Sequence, residues 1–234
     1  MKKQFALSFF LLALTLVLFS ATDFDVSLQD FFFDRKSGLW MISPADHTVL
    51  SPFFYRGFKV ILGCIGGACV LLFLASFRAA SLKPHRAAFL MLLLSLVFVP
   101  VIVAGAKQVT NEYCPKQIDR YGGFFPHVGV LKPYPTDFVQ IKKGKCYPAG
   151  HATGGFALMA LYFCFSDPKK RRIGLGIGLI AGWVTGNYQM LRGEHFLSHT
   201  IVSMIASWIV ILSVYCLLKR FYSDPASPMR ADNN

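Results

Sequence analysis

The sequence predicts an all-α, polytopic membrane protein with six transmembrane helices. Of its 234 residues, 54% are hydrophobic and only 15% are charged, and the apolar residues are gathered in blocks. A helix needs about 20 apolar residues to cross a hydrocarbon core of about 30 Å. The blocks approach that length and contain no Asp, Glu, Lys or Arg, so we predict one membrane domain over residues 1–234 and no soluble domain. The blocks are Gln4–Ser20, Val60–Phe77, Ala87–Ala106, Ala149–Phe165, Ile173–Leu191 and Phe196–Leu218.

The first block has two interpretations. Lys2 and Lys3 precede an apolar run that ends near Ala21, which is also the pattern of a cleaved signal peptide. The run of about 17 residues is slightly long for a signal peptide, and further spans follow it. The sequence favours an uncleaved first transmembrane helix over residues 1–22, and in either case the residues after Ala21 face outward.

Basic residues in the loops predict the orientation. The loop Ser166–Arg172 is short and holds four consecutive basic residues, and short cytoplasmic loops are enriched in Lys and Arg. Both termini are then inside, including a polar cytoplasmic tail at residues 221–234. The net charge of +12 is explained by this inside anchoring together with a basic outer loop, so nucleic-acid binding is not predicted.

This topology gathers four polar residues at the outer membrane face. Lys107 follows the third block, His151 lies at the start of the fourth, and Arg192 and His195 lie between the fifth and sixth. Two histidines, an arginine and a lysine can form a metal-free phosphoryl-transfer site. Lys and Arg side chains at a membrane interface also commonly just extend their charged ends into water. Lys107 or Arg192 taken alone is open to that interpretation.

The segment before the fourth block predicts an anion site. Pro148 is tolerated at a helix start. The N–H groups of Ala149, Gly150 and His151 would then point outward from a helix N-terminus, where anions bind. Gly150 would let a phosphate approach the backbone, and His151 could protonate a leaving oxygen. An ordinary Pro-Gly helix start with an interfacial histidine is the alternative.

The segment Arg192–His199 holds two histidines four residues apart. Gly193 breaks the fifth block, and His195 and His199 share a face if the sixth helix begins there. An imidazole is a competent nucleophile toward phosphorus when a partner holds its other nitrogen, and Arg192 offers bidentate phosphate contact. His-x3-His is also metal-ligand spacing, and this alternative stays open although the motif lacks a third histidine.

The six cysteines do not predict a disulfide framework. Cys114 and Cys146 lie in the same outer loop, where an oxidising compartment would permit a bond between them. Spacing alone leaves that bond open. The other four lie within apolar blocks, where a thiol packs as a small hydrophobe: Cys64, Cys69, Cys164 and Cys216.

These segments resemble the three motifs of the type 2 phosphatidic acid phosphatase family, the lipid phosphate phosphatases that share a core with the vanadium haloperoxidases. The family motifs run Lys-x6-Arg-Pro, Pro-Ser-Gly-His and Ser-Arg-x5-His-x3-Asp. They correspond in order, spacing and sidedness to Lys107–Pro115, Pro148–His151 and Tyr188–His199, and the resemblance covers roughly residues 55–220. The variant residues Cys-Pro, Gly-His and His-Phe-Leu-Ser-His are similar to bacterial lipid A phosphatase-like proteins.

Several positions depart from the family pattern. Cys114 replaces the arginine of the first motif, and Ala149 replaces the serine of the second. In the third motif Gln189 stands at the arginine position, with Arg192 one helical turn further on. His199 replaces the closing aspartate, and a neutral imidazole brings no negative charge. We expect an active enzyme with an altered charge relay, and reduced activity is the alternative.

The resemblance implies a mechanism that needs neither metal nor cofactor. His195 would attack the phosphorus to give a phosphohistidine, and His199 would accept a hydrogen bond from it. His151 would protonate the departing lipid oxygen and then activate water. The phosphate-binding groups would be Lys107, Arg192 and the amides of Ala149 and Gly150.

The resemblance also implies a lipid phosphate substrate at the outer face of a bacterial inner membrane. Candidates are lipid A, undecaprenyl pyrophosphate and phosphatidylglycerol phosphate. A phosphotransferase that passes phosphate to a second lipid would use the same site, and a catalytically impaired lipid-binding membrane protein is a further alternative. The aromatic segment Asp25–Trp40 could lie on the outer interface and guide a lipid inward, or could form a packed loop over the helices.

Overall fold

The computed structural model describes residues 1–222, which form a bundle of α-helices. Residues 223–234, which include most of the expected cytoplasmic tail, lie outside the described part. In chain order the helices are α1 Lys2–Ala21, α2 Phe24–Gln29, α3 Pro44–Ser51, α4 Phe58–Ala75, α5 Arg86–Gly105, α6 Lys107–Thr110, α7 Gly150–Ala157, α8 Pro168–Met190 and α9 Leu197–Phe221.

The remaining regular structure is short. Strands β1 Phe33–Asp34 and β2 Leu39–Trp40 form an antiparallel hairpin in which Phe33 lies opposite Trp40. A π-helical turn, Pro52–Gly57, joins α3 to α4. The 3₁₀ turns are Asp30–Phe32, Ala80–His85, Pro115–Gln117, Asp119–Tyr121 and Leu158–Phe163.

The predicted helical fold class is confirmed, but only some of the six expected spans are seen as long apolar helices. Within the described residues, the fourth expected span is a short helix, α7, followed by the 3₁₀ segment Leu158–Phe163. The fifth, α8, has 23 residues, but it begins with a basic run and its apolar stretch is rich in glycine. Between residues 1 and 222, four helical stretches are long and apolar enough to cross a membrane: Lys2–Ala21, Pro44–Ala75, Ala80–Gln117 and Leu197–Phe221.

Glycines let α8 pack directly against the backbone of the fourth expected span. A Cβ on Gly178 would lie 2.2 Å from the amide nitrogen of Met159, and a Cβ on Gly155 would lie 2.4 Å from that of Gly182. Small residues permit this close approach of helices in membrane proteins, where packing drives helix association. The glycines that make α8 less apolar than the other long helices therefore serve its contact with α7.

The buried core lies between α5, α7, α8 and α9, where Phe156 and Tyr215 are among the largest fully buried side chains. The helix α1 packs against α9, and α4 packs against α5. Both outer helices leave large apolar side chains exposed, such as Phe10 and Leu71. A hydrocarbon environment accommodates these apolar side chains. The helices are also suited to it because they satisfy their backbone hydrogen bonds internally.

Connecting segments cover one end of the bundle. The segment Asp25–Trp40 packs inward: Phe33 and Trp40 contact the ring of Tyr121, with centroids 5.2 and 5.0 Å away. Its outer side leaves Phe31 78% exposed. The packed-loop interpretation of this segment is therefore seen in its contacts, and guidance of a lipid by the exposed ring stays a prediction.

Candidate active site

The three motif segments meet at one end of the bundle. There α5 ends, α7 begins, and a turn joins the end of α8 to the start of α9. The end of α1 reaches the same region, because Phe19 and Ser20 line a small cavity together with Ser198. The segments that the sequence assigned to one membrane face are thus neighbours in space.

His195 lies at the centre of this region and is 2% exposed. It precedes α9, which begins at Leu197, so the condition under which His195 and His199 would share one helical face is not met. Gly193 permits the turn that presents His195. Its φ of +68° is left-handed, and a Cβ on it would lie 2.3 Å from the Trp40 ring, so both the conformation and the space require glycine.

Both ring nitrogens of His195 contact other imidazoles. Its Nε2 lies 3.1 Å from Nδ1 of His151, and its Nδ1 lies 3.4 Å from Nδ1 of His199. The first distance is typical of a hydrogen bond, and the second is long for one. The structure therefore brings the three predicted catalytic histidines together in the row His151–His195–His199.

Burial lowers the pKa of His195 well below its usual value, and the nearby positive groups of His199, His151 and Lys107 lower it further. A charged imidazole is costly to hold where little water reaches it. The lowered pKa keeps His195 neutral near pH 7, so that one ring nitrogen retains a lone pair.

His199 is fully buried in the first turn of α9. The Tyr147 ring packs edge-on against it, with centroids 5.0 Å apart. Its Nε2 lies 3.3 Å from Oε1 of Glu112, within ion-pair distance, although the angles are not those of a hydrogen bond. Sequence reasoning missed Glu112, because a single acid in a long loop carries no spacing signal that connects it to a distant histidine.

Lys107 lies against the start of α7. A Cβ on Gly150 would lie 3.1 Å from Cε and 3.2 Å from Nζ of Lys107, so the ammonium group sits beside the helix N-terminus. No side chain caps α7, and the first N–H groups of a helix have no partner within the helix. An anion at this point would meet a cation and the positive end of a helix together.

Ala149 does not offer its amide to an anion, contrary to the prediction. Its N–H donates to the carbonyl of His199 at 3.2 Å, and the residue is fully buried. Pro148 follows a cis peptide bond and precedes the helix instead of occupying its first turn. Ala149 therefore joins the second motif to the third, and the helix amides that remain for an anion begin at Gly150.

Arg192 contacts Gln189, the residue that stands at the arginine position of the motif in the sequence. Its Nη1 donates to Oε1 of Gln189 at 2.9 Å, and its Nη2 donates to Oε1 of Glu194 at 3.2 Å. Glu194 also accepts a hydrogen bond from Nζ of Lys116 at 2.8 Å. The guanidinium thus lies beside Gln189, where the sequence placed it, and it is already paired with a carboxylate.

A disulfide joins Cys114 and Cys146 and so links the first motif to the second. Ligand atoms of Cys146, His195 and His199 lie within 4.8 Å of one another, which is close enough for a metal ion by distance. The sulfur of Cys146 is held in the disulfide and offers no thiolate, which is the form that binds metal. The cluster therefore supplies two imidazole ligands.

A cavity of about 390 Å³ opens beside His151. Its polar lining includes Lys59, Lys107 and Gln189, and aromatic and aliphatic side chains line other parts of it. Sites for organic ligands commonly combine an apolar lining with a few placed polar groups. This combination is compatible with a phosphate attached to an apolar chain. The apolar lining includes Phe54, Phe58, Leu62, Pro100 and Ala104.

Fold and site together define a helical membrane protein with a buried row of histidines beside a cationic, partly apolar cavity. The family model of the PAP2 superfamily matches residues 88–223, which is more than half of the chain and includes all three motif segments. The chain belongs to the PAP2 superfamily. No curated protein and no solved structure matches it. Superfamily members are phosphatases, which supports a membrane-associated phosphatase that acts on lipid phosphates at this general level.

Proposed function

We propose that this protein hydrolyses a phosphomonoester or pyrophosphate of an envelope lipid through a phosphohistidine at His195, without a metal ion. The observation that carries the proposal is the contact of His195 with two imidazoles, one on each ring nitrogen. His199 holds Nδ1 of His195, and Nε2 becomes free to attack when a bound phosphate displaces the ring of His151, as an activated nucleophile requires.

The first half-reaction transfers the phosphoryl group to the enzyme. The lone pair on Nε2 of His195 attacks the phosphorus, and the bond from phosphorus to the lipid oxygen breaks. His151 gives a proton to that oxygen, so the lipid leaves as an alcohol or, from a pyrophosphate, as a monophosphate. Lys107 and the N-terminus of α7 hold the equatorial oxygens, which is the main catalytic contribution expected in phosphoryl transfer.

The second half-reaction restores the enzyme. Water attacks the phosphorus and gives its proton to His151, and the nitrogen–phosphorus bond breaks to release phosphate. His195 is then neutral again, and His151 again carries the proton that it lost in the first step. No group besides water is consumed.

We also propose that the chain crosses a bacterial inner membrane six times, with the site on the periplasmic side. A helix of the length of α8 spans about 34 Å, and α7 with its 3₁₀ extension spans about 24 Å. The segment of α7 and its 3₁₀ extension is largely buried in protein, where a span can be less apolar than one that faces lipid. The helix α8 exposes Ile177, Ile180 and Val184, apolar side chains that a bilayer can accommodate. The disulfide Cys114–Cys146 supports an oxidising compartment for the site.

Phosphate release from the purified protein in detergent, with EDTA present, tests the proposed hydrolysis. The panel holds lipid A, undecaprenyl pyrophosphate and phosphatidylglycerol phosphate. Wild type should release phosphate from at least one lipid, and His195→Ala should lower the rate by roughly 10³-fold or more. His85→Ala is the matched control, because His85 lines a separate cavity at the other end of the bundle with Asp167.

Two outcomes would contradict the hydrolase. If His195→Ala released phosphate at the wild-type rate, a phosphohistidine at His195 would be excluded. If EDTA abolished release, a metal-dependent site would again be the better interpretation. A phosphotransferase would instead accumulate phosphohistidine and release no inorganic phosphate, and a second lipid added as acceptor would become phosphorylated.

A further inference from the structure

A buried carboxylate stands behind the row of histidines. Glu112 is 5% exposed, and its Oε1 lies 3.3 Å from Nε2 of His199. Its Oε2 is also buried and has no hydrogen-bond partner within residues 1–222. A carboxylate taken out of water is costly unless a positive or hydrogen-bonding partner compensates it, and His199 is the histidine that it faces.

The local backbone directs Glu112 inward. Asn111, in a left-handed conformation with φ of +48°, ends α6 and turns the chain. The carbonyl of Glu112 accepts the N–H of Cys146 at 2.9 Å. A Cβ on Gly144 would lie 2.4 Å from that carbonyl oxygen, so glycine is needed for the two segments to approach.

The proton positions that the proposed reaction requires extend to this carboxylate. The attacking Nε2 of His195 must carry a lone pair, so Nδ1 of His195 carries the proton and faces Nδ1 of His199. His199 then accepts on Nδ1 and carries its own proton on Nε2, which faces Glu112. The proton on each imidazole is thus assigned from the tautomer of the imidazole next to it.

We propose that Glu112 is a positioning residue that acts through His199 and supplies the negative charge that the family motif takes from an aspartate. This inference rests on the proposed phosphohistidine reaction. As His195 becomes a cationic phosphoimidazolium, the His199–Glu112 pair stabilises the proton on its Nδ1, as a buried carboxylate does for the histidine of a serine protease. His199 thus extends the relay by one imidazole.

Asp25 is the other acid near His199, and its contacts give it a different role. Its Oδ1 accepts the backbone N–H of Ser198 at 2.9 Å, so it holds the start of α9. Burial is the main cause that raises the pKa of Asp25 above its usual value, which favours its neutral form. Glu112 is the acid that faces the imidazole nitrogen of His199.

A carboxylate swap tests this role. Glu112→Gln should lower kcat by about 10–100-fold with little change in KM, the size expected for a residue that orients another. His199→Asp alone should also be impaired, because it places a second carboxylate beside Glu112 in a buried site. The double variant Glu112→Gln/His199→Asp carries the negative charge directly beside His195. Its kcat should exceed that of either single variant by about 10-fold or more.

The outcomes separate this inference from the proposed function. Unchanged kcat in Glu112→Gln would overturn it, and so would a double variant no faster than the single ones, even with hydrolysis by wild type intact. Asp25→Asn, as the control, should stay within a few-fold of wild type. Purely structural damage would leave the double variant unrescued.

A second measurement does not depend on turnover. The ¹⁵N NMR spectrum of histidine-labelled protein reports the tautomer of His199, assigned with His199→Asn. We expect a proton on Nε2 in wild type and a changed signal in Glu112→Gln. If wild type released no phosphate, the proposed function would fail, and an unchanged His199 signal in Glu112→Gln would separately overturn the pairing.

Discussion

Nδ1 of His151 lies 3.1 Å from Nε2 of His195, so the nitrogen that we propose as the nucleophile is covered by the imidazole that we propose as the general acid. Attack requires the nitrogen and the phosphorus to approach to about 3–3.5 Å with the leaving oxygen on the far side. The His151 ring must therefore turn away from His195 when a lipid binds. Tyr55, whose ring centroid lies 5.4 Å from that of His151, borders the side next to the cavity.

Removal of the general acid should separate the two half-reactions. His151→Ala should be strongly impaired with a lipid alcohol as leaving group but much less impaired in the first step with a nitrophenyl phosphate, whose leaving group needs no proton. The second step still needs a base, so phosphohistidine should accumulate after an initial burst of nitrophenol. Rapid-mixing absorbance measures the burst, and equal impairment with both leaving groups would contradict the assignment of His151.

The contact between Gly150 and Lys107 predicts a sensitive position. Gly150→Ala should push the ammonium of Lys107 away from the N-terminus of α7, because the new Cβ would lie 3.1–3.2 Å from Lys107 side-chain atoms. We expect kcat/KM to fall by about 10²–10³-fold, comparable to the loss of one donor to a transition-state oxygen. Gly105→Ala is the control, since no atom lies within 4 Å of its Cβ position. Full activity of Gly150→Ala would show that Lys107 does not act beside this helix.

The packing of α8 on the fourth expected span predicts a difference between two glycines. Gly178→Ala would force a Cβ to 2.2 Å from the Met159 amide nitrogen and should destabilise the protein by about 1–3 kcal/mol. Gly176→Ala meets no atom within 4 Å and should be neutral or stabilise the helix by up to about 1 kcal/mol. Thermal unfolding in detergent measures both. Equal melting temperatures for the two variants would contradict the close helix contact.

The lowered pKa of His195 predicts how stability depends on pH. Below about pH 6.5 the unfolded chain takes up a proton on this histidine, whereas the folded chain, in which burial lowers the pKa, does not. The unfolded state then binds more protons, so stability falls as pH falls from 6.5 toward the folded pKa. His195→Asn should lack this contribution. As the pH falls from 7 to 5, wild type should lose more of its melting temperature than His195→Asn does. Between pH 7 and pH 8 the difference between the two melting temperatures should stay constant.

The sequence identified the histidines and Lys107 because each lies where an apolar block ends or in the loop between blocks, and it left the Cys114–Cys146 bond open. Block ends on one side of a membrane are forced into proximity, so hydropathy alone carries this spatial information. The disulfide and the row of histidines are both present in the structure. Arg192 reaches Gln189 from the turn that follows the end of α8 at Met190, and not from a shared helical face.

Other features depend on tertiary contacts that no local pattern encodes. The amide of Ala149 is satisfied by the carbonyl of His199, and the imidazole of His199 faces Glu112. The fourth expected span changes from α-helix to 3₁₀ after Ala157, where α8 packs against it through glycine. In each case the partner lies far along the chain, so periodicity and motif spacing could not predict the contact.

Detection of phosphohistidine at His195 during turnover tests the central claim most directly. Wild type and His151→Ala would be mixed with a nitrophenyl phosphate, whose leaving group needs no proton, quenched in alkali, digested and analysed by mass spectrometry. We predict phosphate on the peptide that contains His195, more of it in His151→Ala, and none in His195→Ala. Steady phosphate release by wild type, with His195 unmodified at every time point in both proteins, would contradict the account.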